Sequence, residues 1–165
     1  MGKCLFATVT RGRVGCQYFL ERLPDETRLH ITIVCHPGEK QLHEERCAGK
    51  VADIIEYGAH CTDVGQARGW LMNYCRVHGY NKVVMIDDNV VFGARIKGEE
   101  LDWTGKLQTI SLLPKPVQRM MYNRMFTWMA GALDAYGAAG ISHRSGNQNK
   151  DTPTEENTRL FAVWG

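Results

Sequence analysis

The sequence contains no long hydrophobic run. Although 44% of its 165 residues are hydrophobic, no stretch approaches the roughly 18 consecutive apolar residues of a membrane-spanning helix. The first residues, MGKCLFATVTRGR, lack the apolar core and the small-residue cleavage site of a signal peptide. They begin Met-Gly, but Phe6 stands where a myristoylation signal requires Ser or Thr. We therefore expect a cytoplasmic protein that makes no membrane contact.

The sequence also lacks a Cys-x-x-Cys pair. Its cysteines stand at positions 4, 16, 35, 47, 61 and 75. Three histidines (36, 43 and 60) lie near Cys47 and Cys61, but their spacings match no zinc-binding pattern. We expect reduced and mostly buried thiols, as is usual inside cells.

No charge of one sign dominates, because 20 basic and 18 acidic residues leave a net charge of +2. That value neither indicates nor excludes a nucleic-acid partner. There is no internal repeat and no low-complexity segment, and 23% charged residues is ordinary for a globular protein. A chain of this length is expected to form a single domain spanning residues 1–165.

The most informative stretch is KVVMIDDNVVFG, from Lys82 to Gly93. Its apolar residues 83–86 predict a buried strand of a parallel sheet. Asp87, Asp88 and Asn89 follow at the carboxyl end of that strand, where α/β sheets bind ligands. Their oxygens suit Mg²⁺ or Mn²⁺. We expect two adjacent ionised carboxylates to repel each other unless a cation or hydrogen-bond donors compensate.

Hydrophobic periodicity predicts an α/β fold around this strand, with a mostly parallel central sheet flanked by helices. Further strands are predicted over Cys4–Val9, His30–Cys35, Ala52–Tyr57 and Leu107–Leu113. Helices are predicted over Gln17–Leu23, Glu39–Lys50, Thr62–His78 and Val117–Tyr136, and a loop over Ala94–Gly105. A capping box at Thr152–Glu155 predicts a last helix whose apolar face carries Leu160, Phe161 and Trp164.

Arginines occur at two predicted ligand-binding positions. Arg11 and Arg13 lie in the turn TRGRVG after the first strand, which favours either an anion-contacting loop or a solvated basic turn. Arg68 lies one turn into the helix that Thr62 or Asp63 caps. A helix start with an arginine suits phosphate oxygens, although an ordinary surface arginine would have the same spacing.

The stretch DVGQARGWLMNYCRVHGYNKVVMIDDNVVFG resembles the core of GT-A glycosyltransferases, in which a helix with a G-x-A-R-type motif precedes a strand ending in an acidic DxD motif. More narrowly, the chain is similar to the TET-associated glycosyltransferases, many of them phage-encoded. The resemblance continues through GISHRSGNQ (Gly140–Gln148) and ENTR (Glu156–Arg159). It implies a Rossmann-like GT-A domain that transfers sugar from a nucleoside-diphosphate sugar with Mn²⁺ or Mg²⁺. The implied acceptor is a modified DNA base, and the implied location is the host cytoplasm.

The resemblance also implies roles for individual residues. Catalysis is assigned to Asp87 and Asp88, and metal binding to these two together with Asn89. Nucleotide and sugar binding is assigned to Thr8, Thr10, Arg13, Asp63 and Arg68. Acceptor binding is assigned to His143, Arg144, Asn147 and Arg159, with Lys150 nearby. Asn89 departs from the acidic motif by losing a charge, and the family is usually longer, so the chain is expected to be compact or C-terminally truncated.

Two other functions fit the same residues. VVMIDDNVV approximates the D-x-D-x-[TV] motif of haloacid dehalogenase-like phosphatases, with Asp87 as nucleophile, but Asn89 cannot serve as the acid. A non-catalytic nucleotide or nucleic-acid binding protein could use the same fold. Asp134, Asp151 and Glu155 are candidate general bases by residue type only.

Overall fold

The computed structural model describes residues 3–14, 17–47, 49–98, 100–101, 105–135, 138–142 and 160–164. Its core is a sheet of four parallel strands: β1 (Cys4–Val9), β2 (Ile31–Cys35), β3 (Asp53–Glu56) and β4 (Lys82–Asp87). Their order is β3-β2-β1-β4. All four lie at predicted positions, and the predicted α/β fold with its parallel sheet is confirmed.

A second, smaller sheet follows β4. In it β5 (Gly93–Lys97) lies between β6 (Glu100–Leu101) and β7 (Lys106–Thr109), and all pairs are antiparallel. The prediction of a loop over Ala94–Gly105 is therefore wrong. Its polar and turn-forming composition gave no strand signal, although Ile96 is 2% exposed and Ala94 packs against the core while the other three residues of β5 are exposed. The predicted strand over Leu107–Leu113 is β7 followed by a 3-10 turn at Ile110–Leu112.

Two further strands extend the main sheet beyond β4. β9 (Leu160–Trp164) pairs antiparallel with β4, and β8 (Ala138–Ser142) pairs with β9. The prediction that Leu160 and its neighbours form the face of a helix is wrong. A five-residue apolar run has no decisive periodicity, and the open edge of β4 offers it backbone partners.

The described residues form five helices: α1 (Tyr18–Arg22), α2 (Asp25–Arg28), α3 (Lys40–Cys47), α4 (Val64–Val77) and α5 (Lys115–Ala135). Side chains of α1 and α5 share one core cluster on one face, whereas α4 buries Ala67, Leu71 and Cys75 in a second cluster. Four of the helices lie within a few residues of their predicted positions, and α2 was not predicted. Helices on both faces make this a doubly wound domain.

The apolar residues of α5 pack mostly into the core. Met121 and Met129 are each 2% exposed, but Trp128 is 46% exposed and so is not a core residue. In the described part of the chain, no helix has both the length and the apolar character needed to cross a membrane.

Candidate functional site

A cleft of about 310 Å³ opens at the carboxyl ends of β1 and β4. β1 has β2 on one side and β4 on the other, so the chain reverses its winding direction at this point. Such a switch point is where doubly wound sheets bind ligands. The cleft is lined by Val9, Thr10, Arg11, Arg13, Tyr57, Val64, Ala67, Arg68, Asp87, Asp88 and Asn89.

The two aspartates of the acidic turn (Asp87, Asp88 and Asn89) contact different faces of the sheet. Successive side chains along a strand project to opposite faces. Asp87 accordingly pairs with Arg68 on α4, whereas Asp88 contacts Thr10 and Arg13 on the other side. Hydrogen-bond donors therefore compensate the two carboxylates, as expected for adjacent ionised acids. Each has an arginine of its own.

The Asp87–Arg68 pair is accessible from the cleft. The Asp87 side chain is 38% exposed and that of Arg68 is 36% exposed, and Nη2 of the arginine donates to Oδ1 of the carboxylate. Ion pairs with this much exposure contribute only about 0–1 kcal/mol. Arg68 can therefore exchange the carboxylate for a phosphate oxygen with little loss of stability.

Asp88, in contrast, is 5% exposed and both of its carboxylate oxygens are bonded. Nη1 of Arg13 donates to Oδ1 over 2.6 Å, and the Thr10 hydroxyl donates to Oδ2 over 3.0 Å. The Gln17 amide, 4% exposed, donates to the Thr10 hydroxyl and to the Arg13 carbonyl, each over 3.0 Å. The backbone carbonyl of Asp88 accepts from the N–H of Phe19 over 2.8 Å. Asp88 is thus fixed to both β1 and α1.

The loop that carries two of the arginines, residues 10–14 (the arginine loop), is bonded to the rest of the fold at every position. Besides the bonds of Arg13, these join Thr10 N to Val34 O (2.9 Å), Arg11 Nη1 to Thr62 O (2.8 Å), Gly12 N to Glu39 Oε1 (2.8 Å) and Arg46 Nη1 to Val14 O (3.0 Å). Gly12 has a φ of 68°, which a residue with a side chain rarely adopts. These bonds restrain the conformation of the arginine loop.

Six of the predicted site residues line the cleft together: Thr10, Arg13, Arg68, Asp87, Asp88 and Asn89. Thr8 does not, because it lies in β1 between Ile33 and Ile86 and is fully buried. Asp63 does not either. It caps α4 by accepting from the N–H of Gln66 over 2.8 Å. The predicted acceptor-side residues lie outside the described part of the chain: His143, Arg144, Asn147, Lys150 and Arg159.

Several residues of the site were not assigned to it from the sequence. Four of them line the cleft: Arg11, Tyr57, Val64 and Ala67. Another, Gln17, does not line it but donates hydrogen bonds to Thr10 and Arg13. Of these residues, only Arg11 can be recognised as a candidate from the sequence, because it shares a turn with Arg13. Burial raises the pKa of Tyr57, so its phenol stays protonated at neutral pH and can donate a hydrogen bond.

Asp134, a candidate general base, lies at the wrong end of the sheet. Its carboxylate pairs with Nζ of Lys82 over 2.5 Å, and Lys82 begins the strand that ends at Asp87. A six-residue strand spans about 17 Å. Asp134 therefore cannot act in the cleft, and the other two candidates, Asp151 and Glu155, lie outside the described residues.

The site fits a divalent cation only if a ligand shares it. Within the described ranges, no three His, Cys, Asp or Glu side chains form a metal-binding group. Mg²⁺ at nucleotide sites is commonly held by one or two carboxylates together with substrate phosphates. Asp87 and Asn89 provide two accessible oxygen donors in the cleft. A cation held jointly with a diphosphate suits these residues better than one held by the protein alone.

Fold and cleft together define a doubly wound α/β domain with an arginine-flanked polar site at its switch point. Comparisons of the chain with protein-family models, with curated proteins and with solved structures found no match. What the protein does must therefore be inferred from the residues of the cleft.

Proposed function

We propose that the protein is a glycosyltransferase of the GT-A type, which transfers a sugar from a nucleoside-diphosphate sugar with the help of Mn²⁺ or Mg²⁺. One observation carries the proposal: Arg13 and Arg68 flank the acidic turn within a single cleft. The arginines suit phosphate oxygens, and the acidic turn offers oxygen ligands for a cation. The sequence resemblance over residues 63–93 supports the same activity.

The charge balance of the cleft favours an anionic ligand. Three arginines against two aspartates leave one net positive charge among the lining residues. Guanidinium groups bind phosphate through paired N–H donors, and Arg11, Arg13 and Arg68 all reach the cleft. In the proposed complex, Arg68 leaves Asp87 and binds the diphosphate. Asp87 then becomes free to act as an oxygen ligand.

A bound Mn²⁺ or Mg²⁺ would stabilise the negative charge that develops on the departing nucleoside diphosphate. Asp87 and Asn89 would hold it from the protein side. The arginines stabilise the same developing charge from the other side of the diphosphate, without any reorganisation of water. Tyr57 closes one wall of the cleft and can donate a hydrogen bond.

The acceptor and the location belong to the same proposal. We assign the acceptor to a modified base in phage DNA, and the location to the cytoplasm of the host. The five cysteines that the structure describes are free thiols, which agrees with a reducing compartment.

Calorimetry with a panel of nucleoside diphosphates and nucleotide sugars tests the proposal. Binding should be tighter with Mn²⁺ than with a chelator, Asp87→Ala should abolish that difference, and Asn89→Asp should increase it by adding a carboxylate. Asp25→Ala is the matched control, because its side chain is 88% exposed in α2, before the amino end of β2. Identical binding in wild type, Asp87→Ala and Asn89→Asp would show that the acidic turn is not the site.

A non-catalytic nucleotide-binding protein is the second candidate. It is favoured by the pairing of each aspartate with an arginine, because such a site needs no cation to neutralise it. Binding would then be independent of metal, and no sugar would be transferred. If Asn89→Asp instead created hydrolysis of phosphate monoesters, the phosphatase alternative would be supported.

Duplex DNA as acceptor makes a separate prediction. Binding should weaken steeply with salt, and removing the charges of Arg144 and Lys150 should reduce the slope of log affinity against log salt by about 1 to 2. No binding at low salt, or binding that salt does not change, would exclude DNA as the partner.

A further inference from the structure

Asp87 and Asp88 differ in how available they are to a ligand. Asp88 is 5% exposed, and donors from Arg13 and Thr10 occupy its two oxygens. Although it borders the cleft, it presents little accessible surface to a cation, and both of its oxygens already accept hydrogen bonds. Asp87 needs only to exchange one exposed arginine. The two acids therefore differ as potential cation ligands although they are adjacent in sequence.

Gln17 determines how the donors of Asp88 are oriented. Its amide N–H donates to the Thr10 hydroxyl oxygen, which turns the hydroxyl proton toward Asp88. The same amide also donates to the backbone carbonyl of Arg13. It therefore fixes both the backbone and, through Asp88, the guanidinium of that arginine. A chain of contacts runs from Gln17 through Thr10 and Asp88 to Arg13.

Arg13 is the exposed end of this series of contacts. Its side chain is 52% exposed and lines the cleft, whereas that of Asp88 is 7% exposed. A guanidinium has five N–H donors, and a free arginine side chain samples many conformers. The buried carboxylate restricts Arg13 to conformers that keep its remaining donors at the cleft.

We propose that Asp88 and Gln17 are positioning residues, which hold Arg13 in place for the diphosphate, and that the protein ligands of the cation are Asp87 and Asn89 without Asp88. This division of roles rests on the proposed function. It assigns Gln17 to the site although that residue does not line the cleft.

A double-mutant cycle between Asp88 and Arg13 separates the two roles of Asp88. Nucleoside-diphosphate binding is measured by calorimetry, with Mn²⁺ and with a chelator, for Asp88→Asn, Arg13→Met and the double variant. Loss of an outer-shell partner of a metal ligand typically costs about 10–100-fold, and we take the same range for loss of the partner that orients Arg13. We expect Asp88→Asn to have that effect when Arg13 is present and little further effect in the Arg13→Met background. The ratio of affinities with and without Mn²⁺ should persist in Asp88→Asn and vanish in Asp87→Ala.

Gln17→Met provides a second variant that leaves the charge of the site unchanged, for use if Asp88→Asn does not fold. It should weaken binding in the presence of Arg13, leave the Mn²⁺ ratio unchanged, and have no effect in the Arg13→Met background. Additive effects of Arg13 and either partner, or loss of the Mn²⁺ ratio in Asp88→Asn or Gln17→Met, would overturn the assignment while leaving the proposed function in place. A wild-type protein that binds no nucleoside diphosphate under either condition would overturn both.

Discussion

Thr8 in β1 and Thr10, directly after that strand, are expected to respond oppositely to the same substitution. Thr8 and Thr10 project to the same face of β1, and they are 0% and 3% exposed. The Thr10 hydroxyl donates to Asp88 and accepts from Gln17. The Thr8 hydroxyl is buried and has no hydrogen-bond partner among the described residues. Valine has nearly the shape of threonine, so the change removes the hydroxyl and little else.

The expected magnitudes follow from the partners of each hydroxyl. A hydrogen bond to a charged group contributes about 1.5–3 kcal/mol and a neutral one about 1 kcal/mol. Thr10→Val should therefore lower the free energy of unfolding by about 2–4 kcal/mol, since Asp88 and Gln17 each lose a buried partner. An unpaired buried hydroxyl costs about 1–3 kcal/mol. Thr8→Val should consequently raise the free energy of unfolding by about 1–3 kcal/mol.

Urea unfolding of both variants, with the wild type, measures these differences directly. The slope against denaturant should stay constant, so that the midpoints report stability alone. In thermal unfolding, Thr10→Val should lower Tm by about 4–16 °C for a chain of this size. Equal destabilisation of the two variants would show that the bonds of Thr10 do not stabilise the site, and that strand packing alone explains its conformation.

Three other perturbations have defined outcomes. Burial lowers the pKa of His43, whose ring nitrogens have no partner among the described residues. The unfolded state therefore binds the proton more readily than the folded state. The free energy of unfolding should reach its full value above about pH 6.5 and fall below that pH by at most about 1.4 kcal/mol per pH unit. His43→Leu should flatten this dependence in unfolding measurements. Lys82→Met should cost about 1–2 kcal/mol in the same assay, because the Ala130 carbonyl loses its donor, while nucleotide binding measured by calorimetry stays unchanged. Arg68→Lys should raise the Kd for nucleoside diphosphates about tenfold, or about 1.4 kcal/mol, because the planar guanidinium with its paired donors is lost. Arg76→Lys, in the last turn of the same helix, is the control and should leave the Kd unchanged.

The main sheet and the position of the acidic turn were predictable because their signals are local. The apolar residues before Asp87 are too few for a core helix and are followed by polar residues, and Asp63 has the residue type and position of a helix cap. Segments with weak or mixed local signals were predicted wrongly. β5 has a single buried side chain, and Leu160–Trp164 is too short to show a period.

The partners of the two aspartates could not be predicted, because they depend on long-range register. Arg13 lies 75 residues from Asp88 in sequence and meets it only because β1 and β4 are parallel neighbours. The alternation that separates Asp87 from Asp88 could have been applied to the sequence, but the partner on each face could not. Gln17 resembles any polar residue at the start of a helix, and only the fold reveals its two bonds.

The arginine loop has a consequence for the dynamics of the protein. Loops at the ends of strands usually open at low free energy and exchange their amide protons quickly. Here the Thr10 N–H is bonded to the backbone carbonyl of Val34 in β2, so its exchange should require separation of those two segments. The Gly12 N–H is bonded to the Glu39 side chain in an exposed hydrogen bond, which rotation of that side chain can break. A ligand entering the cleft would therefore not have to order this loop, and the entropy of ordering has already been spent in folding. Under the proposed function, Arg11 and Arg13 would meet the diphosphate in positions already restrained by their bonds to Thr62 and Asp88.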